Sequence, residues 1–488
     1  NCSADDPRIG AHAISKLGFW SVVMLGINGI IGAGIFLTPG TVIKLAGPIA
    51  PAAYILAGLF TGVIALVFAT AARYVRTNGA SYAYVKAAFG QRIGIYVGVT
   101  HAITGSIAWG VLASLFVSTL LKVVFPNKPW ANDTELISMK TLTFVVFIGV
   151  LLAINLFGNR AIAWANGIST VGKVFALSIF VAGGLWIIVT QHVNNYATSG
   201  STGVYRPAPF ALFGVIEVSH GAVAGLILGT MAALYAFTGF ESIANAAEEM
   251  DEPERTLPRA IPLAILAVGA VYLLAVVVAM LLGSGKVVGS DQPVTLAAAI
   301  ENDAFRTIVI IGALVSMFGI NVAGSFGAPR LWTALSDNGI LPIRLSEKNR
   351  FGVPMLAFGI TASLTLAFPL ALRFDTVNLT GLAVIARFIQ FIIVPIALIA
   401  LARDRTGNHP TVKRNPFTDK VLPVAAVAVS VALAVSFDYR TIFLTAQGGA
   451  NYFSIILIVI TFVAVPAIAY RHYYRTLGTA PADPSQPR

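Results

Sequence analysis

The sequence predicts an all-α membrane protein that crosses the bilayer about twelve times. Two observations carry this. Hydrophobic residues make up 57% of the 488 and charged residues 11%, where a soluble domain carries about 25% charged residues. Apolar runs of about 18 residues or more recur along the chain, each bounded by charges or by Gly/Pro clusters, and such runs read as membrane-spanning helices. Lipid-exposed backbone must satisfy its own hydrogen bonds, so the choice is a helix bundle or a closed barrel. Barrel strands alternate over about ten residues, and the continuous runs here favour helices.

In order, the spans fall at 18–38, 47–70, 93–123, 141–157, 162–190, 222–247, 260–283, 305–334, 354–372, 378–402, 420–438 and 452–470. Residues 1–17 are polar and lack the apolar core of a secretory signal; they read as a cytoplasmic N-terminus. The segment 191–221, with Gln191, His192, Asn194, Asn195 and Pro207, reads as an extracellular loop that has room for a short surface helix. Residues 403–472 hold spans eleven and twelve, and 473–488 read as a disordered cytoplasmic tail.

Orientation follows from Lys and Arg. With the N-terminus inside, the inner side carries Arg73, Arg76, Arg255, Arg259, Arg344, Lys348, Arg403, Lys413, Arg471 and others, a more than twofold excess over the outer side. Both termini are therefore expected in the cytoplasm, at the plasma membrane. The net charge of +11 reports topology and anionic inner-leaflet lipid rather than a nucleic-acid partner, since no basic stripe with interleaved aromatics occurs. One cysteine, Cys2, offers no internal disulfide, and no Cys/His cluster or cofactor motif suggests a metal or a cofactor.

Span one contains Gly26-Ile27-Asn28-Gly29-Ile30-Ile31-Gly32-Ala33-Gly34-Ile35-Phe36, four glycines within nine residues. Span six holds a second weak point, Tyr235-Ala236-Phe237-Thr238-Gly239-Phe240-Glu241. Glycine weakens a helix interior by roughly 1 kcal/mol relative to alanine, so both places favour unwinding. Unwinding frees N–H and C=O groups that need partners in hydrocarbon. A zwitterionic amino acid supplies both kinds: its carboxylate suits the N–H groups at a half-helix start, its ammonium the freed carbonyls. Interrupted helices at matching places in two halves point to a transporter site; close Gly-xxx-Gly packing is the competing reading. Spans one to five (18–190) and six to ten (222–402) each begin with the weak helix. An odd number of spans inverts the second unit relative to the first. No residue-level repeat is visible, so the two halves rest on topology.

At these residues the sequence resembles the amino acid–polyamine–organocation superfamily of permeases. The resemblance covers about residues 15–400. It rests on Gly29-Ile30-Ile31-Gly32-Ala33-Gly34-Ile35-Phe36 with Pro39-Gly40 after it, on Phe237-Thr238-Gly239-Phe240-Glu241, and on the loop Glu248 to Ile261 with Pro253, Arg255, Pro258 and Arg259. It also rests on Arg330-Leu331-Trp332 through Leu341-Pro342, and on Gly352-Val353-Pro354. The resemblance implies a LeuT-like 5+5 inverted-repeat bundle with helices 1 and 6 unwound at mid-membrane. It implies a substrate carboxylate at the backbone of Ala33 and Gly34, beside Gly32, and an ammonium at the carbonyls of Ile30, Tyr235, Ala236 and Thr238, beside Gly239. Phe237 and Phe240 are then expected to shape or gate the pocket, although plain packing is open for Tyr235 and Phe237. One departure stands out: the acid and proline that many members carry after span two are absent from Thr70 to Tyr82.

Away from the span ends, three charged residues fall within spans, Lys173, Glu241 and Arg387. Such residues cost at least about 2.5 kcal/mol at a helix centre and need a partner or a function. The resemblance places Lys173 where sodium-coupled relatives hold a sodium ion, bridging span one to span eight. That argues against sodium coupling and leaves two roles open, proton release during the cycle or a permanently charged strut. Glu241 is expected to be structural or proton-linked. Arg387 has three readings: snorkelling, pairing with an acid, or closing an outer gate. His101 reads as interfacial. Around the substrate side chain the expected residues are Ala108, Trp109, Phe237, Phe240 and Asn321. No carboxylate besides Glu241 is available for a cationic side chain, which favours a neutral amino acid.

The function expected is secondary, proton-coupled uptake of neutral amino acids by alternating access. A sodium-independent exchanger and a carrier of cationic amino acids or polyamines stay open, as does an amino-acid sensor. A channel would show repeated pore elements or charge rings. An enzyme would need an activated nucleophile, metal cluster or paired carboxylates. The chain shows none of these.

Overall fold

The computed structural model describes residues 18–75, 80–128, 133–157, 159–196, 210–212, 216–219, 221–240, 253–290, 294–403, 414–445 and 447–479. The helices in order are α1 (Phe19–Ile30), α2 (Gly34–Ala46), α3 (Ala50–Tyr74), α4 (Ala80–Phe89), α5 (Gln91–Val124), α6 (Asp133–Leu156) and α7 (Asn159–Gln191). There follow α8 (Ala222–Leu234), α9 (Pro253–Val288), α10 (Asp303–Asp337), α11 (Met355–Ala371), α12 (Thr376–Arg403), α13 (Leu422–Ser436), α14 (Tyr452–Val459) and α15 (Val465–Thr479). Among the described residues, nine stretches are long and apolar enough to cross a membrane. One of these, Gly34–Tyr74, is divided by a 3₁₀ turn at Gly47–Ile49, where Gly47 has φ 59°. Phe19–Ile30, Ala222–Phe237 and Met355–Ala371 are shorter apolar helices. The chain is an all-α integral membrane protein.

One expectation needs correction. Span one continues past 38 to Ala46, through Pro39. Proline removes one helical hydrogen bond, and Thr295 stitches the weakened turn: its hydroxyl lies 3.2 Å from Phe36 O and 3.3 Å from Leu37 O and accepts from Gly40 N–H at 3.3 Å. In the loop 191–221, the described residues include an antiparallel hairpin, β1 (Phe210–Leu212) with β2 (Ile216–Ser219), in the register Leu212↔Ile216 and Ala211↔Glu217; most of the rest of the loop, where a short surface helix has room, lies outside the described residues.

The helices pack in two groups. α9 lies against α1 and α3, and α8 against α2 and α3; α10 lies against α7 and α5, and α5 against α11 and α12. Lipid tails are as apolar as leucine, so helices associate through close contact of small residues. The α7–α10 seam shows this. A Cβ on Gly319 would overlap Ser169, one on Gly312 would lie 2.5 Å from Ala176 Cβ, and one on Gly172 would lie 2.5 Å from Val315 Cγ1. Ser169 Oγ donates across the seam to Ser316 O at 3.1 Å. Overpacking such a contact costs about 1–3 kcal/mol. Gly319→Val is therefore expected to lower the melting temperature in detergent by several degrees, and Gly327→Val, with open space around it, to leave it within a degree or two. Equal melting points would refute this account of the seam.

At the C-terminal end of α3, in the stretch that lacks the acid and proline, the Tyr74 hydroxyl donates to Asp419 Oδ2 at 2.9 Å. Asp419 is buried in the π-helical turn Phe417–Val421 that leads into α13, and it also accepts from Asn415 N–H at 2.9 Å.

Candidate functional site

α1 stops at Ile30. Ile31 leaves helical geometry (φ −70°, ψ 92°) while its N–H still bonds Ile27 O at 2.9 Å. Ala33 returns to helical angles and α2 opens at Gly34. Ile31, Gly32 and Ala33 thus lie between two helices, within the glycine-rich run. α8 tightens after Leu234 into a 3₁₀ turn, Tyr235–Phe237, and then Thr238 is extended (φ −69°, ψ 151°) and Gly239 has φ 111°. Thr238 returns both its N–H (3.3 Å) and its hydroxyl (2.8 Å) to Tyr235 O.

The break between α1 and α2 and the turn after α8 meet backbone to backbone. A Cβ on Gly34 would lie 2.5 Å from Ala236 Cα, and a Cβ on Gly239 would run into Gly29 O. Gly239 is doubly constrained, since its positive φ already disfavours other residues. The N–H groups of Ala33 and Gly34 sit where a helix start leaves donors without intrahelical partners.

Side chains from two further helices hold the freed carbonyls. From α7, Lys173 Nζ donates to Asn28 O at 2.9 Å and Ile31 O at 2.8 Å, and Thr170 Oγ1 donates to Asn28 Oδ1 at 2.9 Å. Lys173 is 2% exposed. From α9, the Tyr272 hydroxyl lies 3.2 Å from Ile30 O and 3.1 Å from Ala236 O. Within α2, Thr38 Oγ1 donates to Gly34 O at 3.0 Å and pairs with the Tyr54 hydroxyl at 2.7 Å.

The sequence-predicted residues divide accordingly. Ile30, Gly32, Ala33, Gly34, Tyr235, Ala236, Thr238 and Gly239 lie on the two segments that meet there, the break between α1 and α2 and the turn after α8. Phe237 is fully buried, with its ring 5.2 Å from that of Tyr272 and facing Gly58 of α3. Phe240 stacks on Phe391 of α12 at 5.9 Å and meets Phe68 of α3 edge-on at 6.1 Å. Trp109 packs on Phe358 of α11 and beside Gly324 of α10, one residue on from Ala108. Asn321 ties α10 to α5 through Leu112 O at 3.1 Å. Trp109 and Asn321 therefore belong to the α5–α10–α11 packing. Arg387 donates back to Ala383 O, one turn earlier in the middle of α12, at 3.1 Å. The expected link from Lys173 to span eight is made instead by Ser169, whose hydroxyl reaches Ser316 O one turn away; both Lys173 bonds go to span one. Glu241 lies outside the described residues.

Sequence reasoning missed Tyr272, although a signal was there. It stands in an aliphatic run, Ala267-Val268-Gly269-Ala270-Val271-Tyr272-Leu273-Leu274, and a phenolic hydroxyl in such surroundings seeks a partner. Beside the site, Tyr235 borders a cavity of about 310 Å³ between α2, α8 and α12, with Thr41, Met231 and Val384 in its wall and Asp438 and Arg440 also on its lining.

Residues 17–465 match the amino acid permease family. The chain belongs to that family. This permease is 71% identical over 479 residues to an uncharacterized transporter of Mycobacterium tuberculosis (strain ATCC 25618 / H37Rv), covering 98% of this chain and 99% of the relative. It is 23% identical to the branched-chain amino acid permease BcaP of Bacillus subtilis (strain 168), over 88% of this chain and 89% of that one. It is 26% identical to the vacuolar cationic amino acid transporter 2 of Arabidopsis thaliana, over 84% of this chain and 63% of that one. The permease is thus a membrane transporter rather than an enzyme, and a small-molecule amino acid is the substrate that its family implies.

Proposed function

We propose that this permease carries neutral amino acids into the cell by alternating access, driven by protons, across twelve membrane helices with both termini cytoplasmic at the plasma membrane. The substrate's backbone binds where the first and sixth helices are interrupted within the bilayer. The observation that supports this best is the pairing of Ile30 O with Ala236 O, one carbonyl from each interruption, around a single hydroxyl. A primary ammonium offers three donors to such acceptors, and the start of α2 at Ala33 and Gly34 offers donors to a carboxylate.

The Lys173 ammonium sits 2.8 Å from Ile31 O. It takes backbone oxygens of the kind that hold sodium in interrupted-helix transporters, which supports sodium independence. It also places a positive charge beside the interruption, unfavourable to a cationic side chain. Among the described residues at the two interruptions there is no carboxylate to offset it.

The test is uptake into liposomes by the purified protein, with leucine, isoleucine, valine, alanine, arginine and lysine as labelled substrates. The expected result is uptake of neutral amino acids, raised several-fold by an inward proton gradient and indifferent to sodium. Preference for arginine or lysine would overturn the substrate class, and gradient-insensitive exchange would overturn proton coupling. Failure to move any amino acid in either mode would sink the proposal.

A further inference from the structure

Tyr272 belongs to neither interruption, yet it holds both. Its side chain is fully buried in α9, its ring is fixed edge-on against Phe237, and its oxygen lies 3.2 Å from Ile30 O and 3.1 Å from Ala236 O. A phenol carries one proton, so the hydroxyl donates to one carbonyl at a time and the pair shares a single donor. The neighbouring carbonyls are held differently. Asn28 O and Ile31 O have the Lys173 ammonium, Gly34 O has Thr38, and Tyr235 O has Thr238. Of these carbonyls, Ile30 and Ala236 are the two that depend on one neutral donor between them.

We propose that Tyr272 is a placeholder for the substrate's ammonium: its hydroxyl serves the Ile30 and Ala236 carbonyls when no amino acid is bound, and gives them up when an ammonium arrives. This rests on the reading that those two carbonyls receive the ammonium. The chemistry favours the exchange. Charge-assisted hydrogen bonds are roughly twice as strong as neutral ones, and an ammonium can serve both carbonyls at once. The reverse step matters equally. A carrier that performs net uptake must reorient without cargo, and two dry carbonyls without a donor oppose that step. A weak resident donor keeps the interruptions together during the return and is readily displaced at the next binding event. Tyr272 is thus a positioning residue whose hydroxyl lowers apparent affinity and speeds turnover.

The test compares wild type with Tyr272→Phe, which keeps the ring and removes the donor. The probes are L-leucine and L-arginine, read by equilibrium binding in detergent, net uptake and counterflow in liposomes, and melting temperature without amino acid. Losing one neutral hydrogen bond to displace should tighten the dissociation constant for the transported probe by roughly 2- to 13-fold. The melting temperature without amino acid should fall, and net uptake should drop at least about tenfold while counterflow stays within about twofold. Tyr272→His, which retains a ring donor, should bring the net-uptake to counterflow ratio back toward wild type and serves where Tyr272→Phe is too unstable to purify. Unchanged or weaker binding by Tyr272→Phe, or equal loss of net uptake and counterflow, overturns the placeholder role alone. Equal loss of the two modes in Tyr272→His overturns it as well. Wild type that binds neither probe and transports no amino acid removes the functional reading, and the placeholder with it.

Discussion

Gly34→Ala will cut amino acid uptake by about 100-fold or more, and Gly34→Leu will abolish it, while both variants remain inserted in the membrane. A Cβ at this position would lie 2.5 Å from Ala236 Cα and 3.1 Å from Ala236 N. These are backbone atoms, so no rotamer change relieves the overlap; the start of α2 and the turn after α8 must move apart. Overpacking costs about 1–3 kcal/mol, and 2.7 kcal/mol corresponds to a factor of about 100. Separation also pulls Ile30 O away from Ala236 O, the pair held by Tyr272, so the loss should fall on binding more than on folding. Ala236→Gly is not expected to rescue Gly34→Ala, because the clash is with Cα rather than with the methyl group. Gly62→Ala in α3 has open space and should leave uptake within about twofold. Uptake assays on surface-matched amounts of protein decide the matter; normal affinity in Gly34→Ala would refute the site.

The bundle was legible because lipid imposes a simple rule, that long apolar runs become helices, and charges and glycines mark their ends. The break between α1 and α2 and the turn at Gly239 have local signals of the same kind: Gly26, Gly29, Gly32 and Gly34 weaken one helix, and Gly239 takes a φ that suits glycine. What holds those interruptions together was less legible, because it depends on helix rotation and depth, which hydropathy does not encode. Lys173 could be picked out as an expensive charge, but its two acceptors on span one, and the contact that Ser169 makes with span eight, depend on which faces of α7 meet α1 and α10. Trp109 and Asn321 read as pocket residues by their chemistry; the contacts they make, Trp109 with Phe358 of α11 and Asn321 with Leu112 O of α5, depend on the rotation of α5 and α10, which hydropathy does not report. Pro39 looks like a stop signal in one dimension, and Thr295, more than 250 residues away, removes that meaning.

Lys173→Ala will lose proton-driven uptake by at least about tenfold. Two effects combine. Asn28 O and Ile31 O lose their donor at 2.9 Å and 2.8 Å, and each buried group left unsatisfied costs about 1–3 kcal/mol. The site also loses its only described cation at the interruption, and with it the means by which a proton on this nitrogen could alter the hold of α7 on α1. The two roles open to the lysine separate on a second variant. Lys173→Gln keeps a neutral donor for one carbonyl and cannot exchange a proton. If the lysine couples protons, Lys173→Gln retains counterflow but shows no stimulation by an inward proton gradient. If it is a permanently charged strut, counterflow and gradient-driven uptake fall together, because the damage is to the shape of the site. Measuring both modes in the same liposomes distinguishes them, and full proton-driven uptake by Lys173→Ala would show that the nitrogen is needed for neither.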